Sequence, residues 1–115
     1  DMIKIYGDEE KLSRAITNVI SNCIRYANSL VTVELTNIDK IKVQLIISDD
    51  GPGFKNNELP NIFERFYKGV NGNLGLGLSI SKNIIEKLHG QIFAKNTTTG
   101  ALFIVELPIN FRNPQ

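Results

Sequence analysis

The chain has 115 residues, 42% of them apolar, with 13 basic and 12 acidic side chains for a net charge of +1. That is material for one domain with a core, spanning 1–115, and too balanced a charge for a protein that coats nucleic acid through many phosphate contacts. A single cysteine and a single histidine exclude an internal disulfide and a Cys/His zinc cluster, and no apolar run nears the roughly 20 residues needed to cross a bilayer.

Gly7-Asp8-Glu9-Glu10 supplies an N-cap and two acids suited to a helix N-terminus. Leu12, Ala15, Ile16, Val19, Ile20, Cys23 and Ala27 then recur at helical spacing and define an apolar face. Val31, Val33 and Leu35 alternate with polar residues, as in a half-buried strand, and Asn37-Ile38-Asp39-Lys40 turns the chain into a second strand, Ile41 to Ser48. The run Leu45-Ile46-Ile47 predicts that this strand is central and buried on both faces. A short helix is predicted around Asn61 to Tyr67, followed by a glycine loop from Gly69 to Gly75. The next helix carries Leu76, Ile80, Ile84, Ile85 and Leu88, with Gly90 expected as its left-handed cap. Strands Gln91 to Lys95 and Ala101 to Leu107 close the chain around a turn at Thr99-Gly100. This order predicts an α+β fold: a two-layer sandwich with a mixed, antiparallel-rich sheet covered on one face by helices.

Three constellations carry chemistry. Asn18, Asn22 and Arg25 stand at i, i+4 and i+7 on the first helix, within one stripe beside the apolar face. An amide oxygen suits Mg²⁺ and a guanidinium suits phosphate, although a solvated polar face explains the stripe equally well. At the end of the second strand, Asp49 precedes Asp50-Gly51-Pro52-Gly53-Phe54. A carboxylate there accepts hydrogen bonds from an exocyclic amino group such as adenine's, and the glycines let a flat base approach the backbone. An ordinary strand-to-loop turn is the alternative. Gly72 to Leu78 is a glycine loop opening into a helix, where free N–H groups favour phosphate. It has neither the Gly-Lys-Ser/Thr of a P-loop nor the βαβ setting of a dinucleotide fingerprint.

Together these segments resemble the ATP-binding domain of sensor histidine kinases over about Gly7 to Pro108. Asn22-Cys23-Ile24-Arg25-Tyr26 is similar to the N box, Asp49 to Phe54 to the G1 box, Ile62 to Lys68 to the F box, and Gly75-Leu76-Gly77-Leu78 to the G2 box. The resemblance implies the Bergerat ATP-binding fold, with ATP and Mg²⁺ as cofactors. It implies that Asn22 holds Mg²⁺, that Asp49 takes the adenine amino group and that Tyr26 packs on the base. Arg25 and Lys68 would face the phosphates and, with Asn22, form the catalytic set. Asn18, Gly51, Gly53, Phe54, Gly75, Leu76, Gly77 and Leu78 would complete the nucleotide site, with Gly75 and Gly77 shaping the phosphate end of a mobile lid.

The implied partner is a dimerisation domain bearing the phosphoacceptor histidine, with a response regulator downstream. Neither nucleic acid nor direct membrane insertion of this domain is expected. The domain is expected to be cytoplasmic, a fragment of a longer chain for which a membrane anchor elsewhere is left open. His89, in Leu88-His89-Gly90 at a helix end, reads as structural rather than as the acceptor.

The sequence departs from the family pattern in four places. Only eight residues, Tyr67 to Leu74, separate Phe66 from Gly75; Lys68 stands where arginine is frequent; and Thr99-Gly100-Ala101 replaces the usual Gly-x-Gly-Ser/Thr. Cys23 stands in the common alanine place of the N box and reads as a small core residue rather than a redox sensor. An ATPase or serine kinase of the same fold is an alternative. Those relatives generally keep an acid where this chain has Asn18, and an amide does not titrate. A nucleotide-binding module without catalysis is the third reading.

Overall fold

In the computed structural model, which describes residues 8–64, 67–68 and 74–109, Asp8 opens the first helix, α1 (Glu9–Tyr26), by accepting from the Lys11 N–H at 3.1 Å. Ala15, Val19 and Cys23 are its buried positions, one face at helical spacing. The chain then forms β1 (Val31–Ile38) and β2 (Lys42–Asp49). The hairpin turn between them places Asp39 and Lys40 in the left-handed region, at φ 53° and 60°, and the Asn37 carboxamide oxygen accepts from the Lys40 N–H at 2.9 Å. A one-turn 3₁₀ helix, Leu59–Asn61, follows. Next come β3 (Tyr67–Lys68), β4 (Leu74–Gly75), α2 (Leu76–Lys87), β5 (Gln91–Asn96) and β6 (Ala101–Pro108).

The main sheet has the order β1-β2-β6-β5. Every strand pair in it is antiparallel, so the described residues carry the antiparallel part of the expected mixed sheet. α1 lies over β2, α2 over β5, and the two helices pack together. Between the layers sit Val19, Val43, Ile47, Ile62, Ile85, Ile92, Phe103 and Val105. The buried Ser81 hydroxyl ties α2 to α1 by donating to the Ala15 carbonyl at 2.6 Å.

Several expectations change. β2 is central, but Ile46 on its outer face is only half-buried, because no helix among the described residues covers that side. Val33 and Leu35 point to the helix side yet stay exposed among the described residues, since the helices leave most of β1 outside their cover. The short helix starts earlier than predicted, at Leu59, because Pro60 suits a first helical turn. Ile62 and Phe63 then leave the helix to pack on the core; Arg65 and Phe66 lie outside the described residues. The pairing of Tyr67 with Gly75 and of Lys68 with Leu74 was not foreseen.

At the end of α2 the left-handed residue is His89, at φ 66°, and not Gly90. His89 N–H donates to Glu86 O at 3.0 Å and Gly90 N–H to Ile85 O at 2.9 Å, the two bonds of a Schellman cap. Gly90 is required for a different reason. A Cβ there would lie 2.2 Å from the Glu106 carbonyl oxygen and 2.9 Å from Leu107 Cδ2. Gly90→Ala should therefore destabilise the domain by about 1–3 kcal/mol through forced separation of helix end and sheet, visible as a lowered thermal midpoint. An unchanged midpoint would mean that this contact relaxes without cost.

Candidate functional site

The site residues gather at one end of the sheet, where β2 finishes, β6 begins and α1 ends. Asp49 is the last residue of β2 and is buried. Its Oδ1 accepts from the Gly51 N–H at 2.9 Å and from the Ala101 N–H at 3.4 Å. Two glycines make this arrangement sterically possible. A Cβ on Gly51 would lie 2.1 Å from the Tyr26 carbonyl oxygen, and one on Gly100 would lie 2.1 Å from the Asp49 carbonyl oxygen. The end of α1, the glycine turn and the start of β6 thus close around one carboxylate.

Cys23, one turn before Tyr26 on α1, has its fully buried thiol beside Asp49. Burial first, then the Asp49 charge and a hydrogen bond to it, pushes this thiol from an ordinary 9.0 up to about 12. It stays protonated at neutral pH, and a protonated, buried thiol is a core residue rather than a reactive one.

α1 presents Asn22, half-buried, and Arg25, exposed. Among the described residues neither side chain has a hydrogen-bond or ion-pair partner. Asn18 is engaged differently: its Nδ2 donates to the Gly77 carbonyl oxygen at 3.2 Å, linking α1 to the first turn of α2. Tyr26 is half-buried at the helix end.

Gly53 lies in the left-handed region at φ 74°. Phe54 turns its ring inward, edge-on to the buried Phe103 at 5.9 Å between centroids, which makes it a wall of the core beneath the turn. Phe63 packs on the other side of Phe103 at 6.3 Å and carries the Lys82 ammonium 5.8 Å from its ring centre. Leu78 is likewise a core side chain.

Gly77 is half-buried, and a Cβ on it would sit 3.6 Å from Asn18, an ordinary contact. The β3–β4 pair places the backbone of Lys68 against Leu74, and that of Tyr67 against Gly75, which leads directly into Leu76 and α2. The final part of the F-box segment and the G2-box segment are therefore neighbours. Of the expected lid, Gly69 to Gly75, residues 69–73 lie outside the described residues.

Gly100 and Ala101, noted in the sequence as a departure from the family pattern, border this region, and so does Asn96, which was not singled out from the sequence. Ala101 offers only its backbone N–H, a group that every residue but proline has. The Thr-Gly-Ala segment reaches the carboxylate through main chain, with Thr97 Oγ1 accepting from the N–H groups of Thr99 and Gly100 to shape the turn.

As chemistry, the region offers a carboxylate acceptor at the end of the central strand β2, glycines that let three stretches of main chain close around it, and an amide and a guanidinium on the adjoining helix. No group of three or more His, Cys, Asp or Glu residues suited to a metal occurs among the described residues. Also among the described residues, no helix is long and apolar enough to cross a membrane.

Comparison with known proteins bears on the family and the fold. Residues 7–110 match the family described as histidine kinase-, DNA gyrase B-, and HSP90-like ATPase. The chain is 34% identical over 117 residues to the signal transduction histidine-protein kinase BaeS of Escherichia coli, covering 95% of this chain and 25% of that protein. It is 31% identical over 102 residues to the sensor histidine kinase CssS of Bacillus subtilis, covering 89% of this chain and 22% of that protein. Among solved structures, the mycobacterial sensor histidine kinase MprB superposes with a TM-score of 0.84 at 30% identity, covering 91% of this chain and 76% of that one. The chain thus spans about a quarter of the length of these two curated relatives.

Proposed function

Because the chain belongs to the histidine kinase-, DNA gyrase B-, and HSP90-like ATPase family, as an ATP-binding catalytic domain of the sensor histidine kinase kind, we propose that it binds Mg²⁺-ATP and donates the γ-phosphate to a histidine on a separate dimerisation domain. The observation that carries this reading is the buried Asp49 carboxylate, held by two backbone N–H groups between glycines that admit no side chain. A buried acceptor at the end of the central strand suits the adenine amino group. The glycine backbone on either side suits a planar ring, and Tyr26 flanks it.

The donor set on α1 fits the phosphate end. Asn22 would supply an oxygen ligand to Mg²⁺, whose remaining ligands are phosphates and water, and Arg25 and Lys68 would neutralise phosphate charge. The metal would supply charge neutralisation at the phosphates, and the protein's own contribution is positioning. Leu76 and Gly77, at the N-terminus of α2, would offer free backbone N–H groups to the same phosphates. Asn18 favours transfer over hydrolysis. It stands where ATPases of this fold carry a glutamate, and its amide is bonded to the Gly77 carbonyl instead of being placed as a base.

The reading is tested by incubating the chain with radiolabelled ATP, Mg²⁺ and a helical hairpin carrying the acceptor histidine of the parent kinase. Acid-labile, base-stable label on the hairpin is the expected result. Release of inorganic phosphate without labelling would assign the chain to the ATPases, and nucleotide binding with neither product would make it a binding module.

A further inference from the structure

The glycine turn that follows Asp49 is gripped from both sides by the side chains of Asp50 and Asn96, neither of which is assigned a contact with the nucleotide above. On the α1 side, Asp50 Oδ1 accepts from three successive backbone N–H groups, Asn28 at 2.9 Å, Ser29 at 2.9 Å and Leu30 at 3.0 Å. Its Oδ2 accepts from the Ser29 hydroxyl at 2.7 Å. The Asp50 main chain joins in, its carbonyl accepting from Asn28 Nδ2 at 2.8 Å and its N–H donating to Leu30 O at 3.2 Å. The loop from α1 to β1 is thereby tied to the first residue of the turn.

On the opposite side, Asn96 at the end of β5 accepts from the Phe54 N–H at 2.8 Å and donates to the Phe54 carbonyl at 2.6 Å. The carboxamide thus takes both hydrogen bonds of one residue, as a neighbouring strand would. Gly53 makes room for it, since a Cβ there would lie 2.7 Å from Asn96 Oδ1.

We propose that Asp50 and Asn96 are positioning residues that hold the turn from Asp49 to Phe54 between two fixed points, so that Asp49 and Gly51 meet the nucleotide base in one arrangement. The proposal rests on the assignment of the base to Asp49. A turn ordered during folding does not have to be ordered at binding, which saves affinity that a loose turn would lose. It also fixes where the carboxylate sits, and an acceptor-only group held at one place pairs with an amino group of the base and not with a carbonyl. The backbone and hydroxyl hydrogen bonds from Ser29, joined by those from Leu30 and Asn28, hold the Asp50 carboxyl well below the usual carboxylate range, so the grip persists throughout the neutral range.

The test is calorimetric titration of the chain with Mg²⁺-ATP and with Mg²⁺-GTP, with thermal melts to establish folding. Asp50→Ala should weaken ATP binding about tenfold and lower the ATP-to-GTP affinity ratio, and Asp50→Asn, whose amide oxygen still accepts from the loop, should recover most of both. Asn96→Ala should act in the same direction and serves alone if Asp50→Ala fails to fold. Gln44→Ala, which removes a hydrogen bond to Glu106 on the outer face of the sheet, should leave affinity and ratio unchanged. Folded clamp variants with wild-type affinity and wild-type ratio would overturn the proposal. A wild-type chain that binds ATP no better than GTP would overturn the Asp49 assignment itself, and the variants are not needed to see it.

Discussion

Replacing Asp49 with asparagine should weaken ATP binding roughly 5- to 150-fold while the domain stays folded, the consequence of a mismatch costing roughly 1–3 kcal/mol at a buried polar contact. The two backbone donors decide the outcome. The Gly51 and Ala101 N–H groups both point at Oδ1, so the asparagine carboxamide satisfies them only by placing its oxygen there. Its NH₂ then occupies the other carboxylate position, and a donor meets the donor of the adenine amino group. The shape of the side chain is conserved, so packing against Cys23 survives. Calorimetry with ATP and GTP on the folded variant measures the effect. Wild-type ATP affinity in Asp49→Asn would remove this residue from the base pocket.

Asn22→Ala is expected to reduce ATP affinity about tenfold more in magnesium than in EDTA, because only the metal-bridged part of the binding is lost. Asn22 is suited to this experiment because its side chain has no hydrogen-bond partner among the described residues, so truncation leaves no orphaned group behind. The neighbouring Asn18→Ala provides the contrast. It breaks the bond to Gly77 O and should weaken binding similarly in both conditions by loosening the start of α2. Equal losses for Asn22→Ala in magnesium and in EDTA would make that asparagine structural.

Much of the architecture was legible because periodicity reports burial. The apolar stripe of α1 fell on the residues that are buried, and the strands lie within a residue or two of where alternation put them. What was missed has little local signature. Two-residue strands such as β3 and β4 are too short to show a period. Pro60 moved the short helix toward the N-terminus, a case where one residue's fixed φ outweighs a pattern. Gly90 was expected to take the left-handed cap on propensity, yet the tight contact with β6 claims the glycine and leaves the cap to His89.

In the candidate site, the sequence placed Asp49 and the glycine turn at the end of the second strand, where they lie, but not the side chains that brace them. Asn96 lies 42 positions from Phe54, and its partner is main chain, so no motif marks it. Ser81 reads as an ordinary polar helix residue until its hydroxyl is seen to meet the Ala15 carbonyl. Phe54, foreseen at the nucleotide, is directed by its edge contact with Phe103 into the layer below.

The strand order has a consequence for how the chain assembles and diversifies. β1–β2 and β5–β6 are local hairpins, whereas the central β2–β6 seam joins Ser48 to Leu102. The glycine turn, the β3–β4 pair and the start of α2 all lie in a single excursion between the two strands of that seam, whereas Asn22, Arg25 and Tyr26 come from α1, ahead of it. Closing such an excursion costs conformational entropy that grows only logarithmically, about 0.6 kcal/mol for each doubling of its length. The two hairpins can therefore form early and wait for each other, and the segment between them is free to lengthen or shorten in evolution with little penalty to the scaffold.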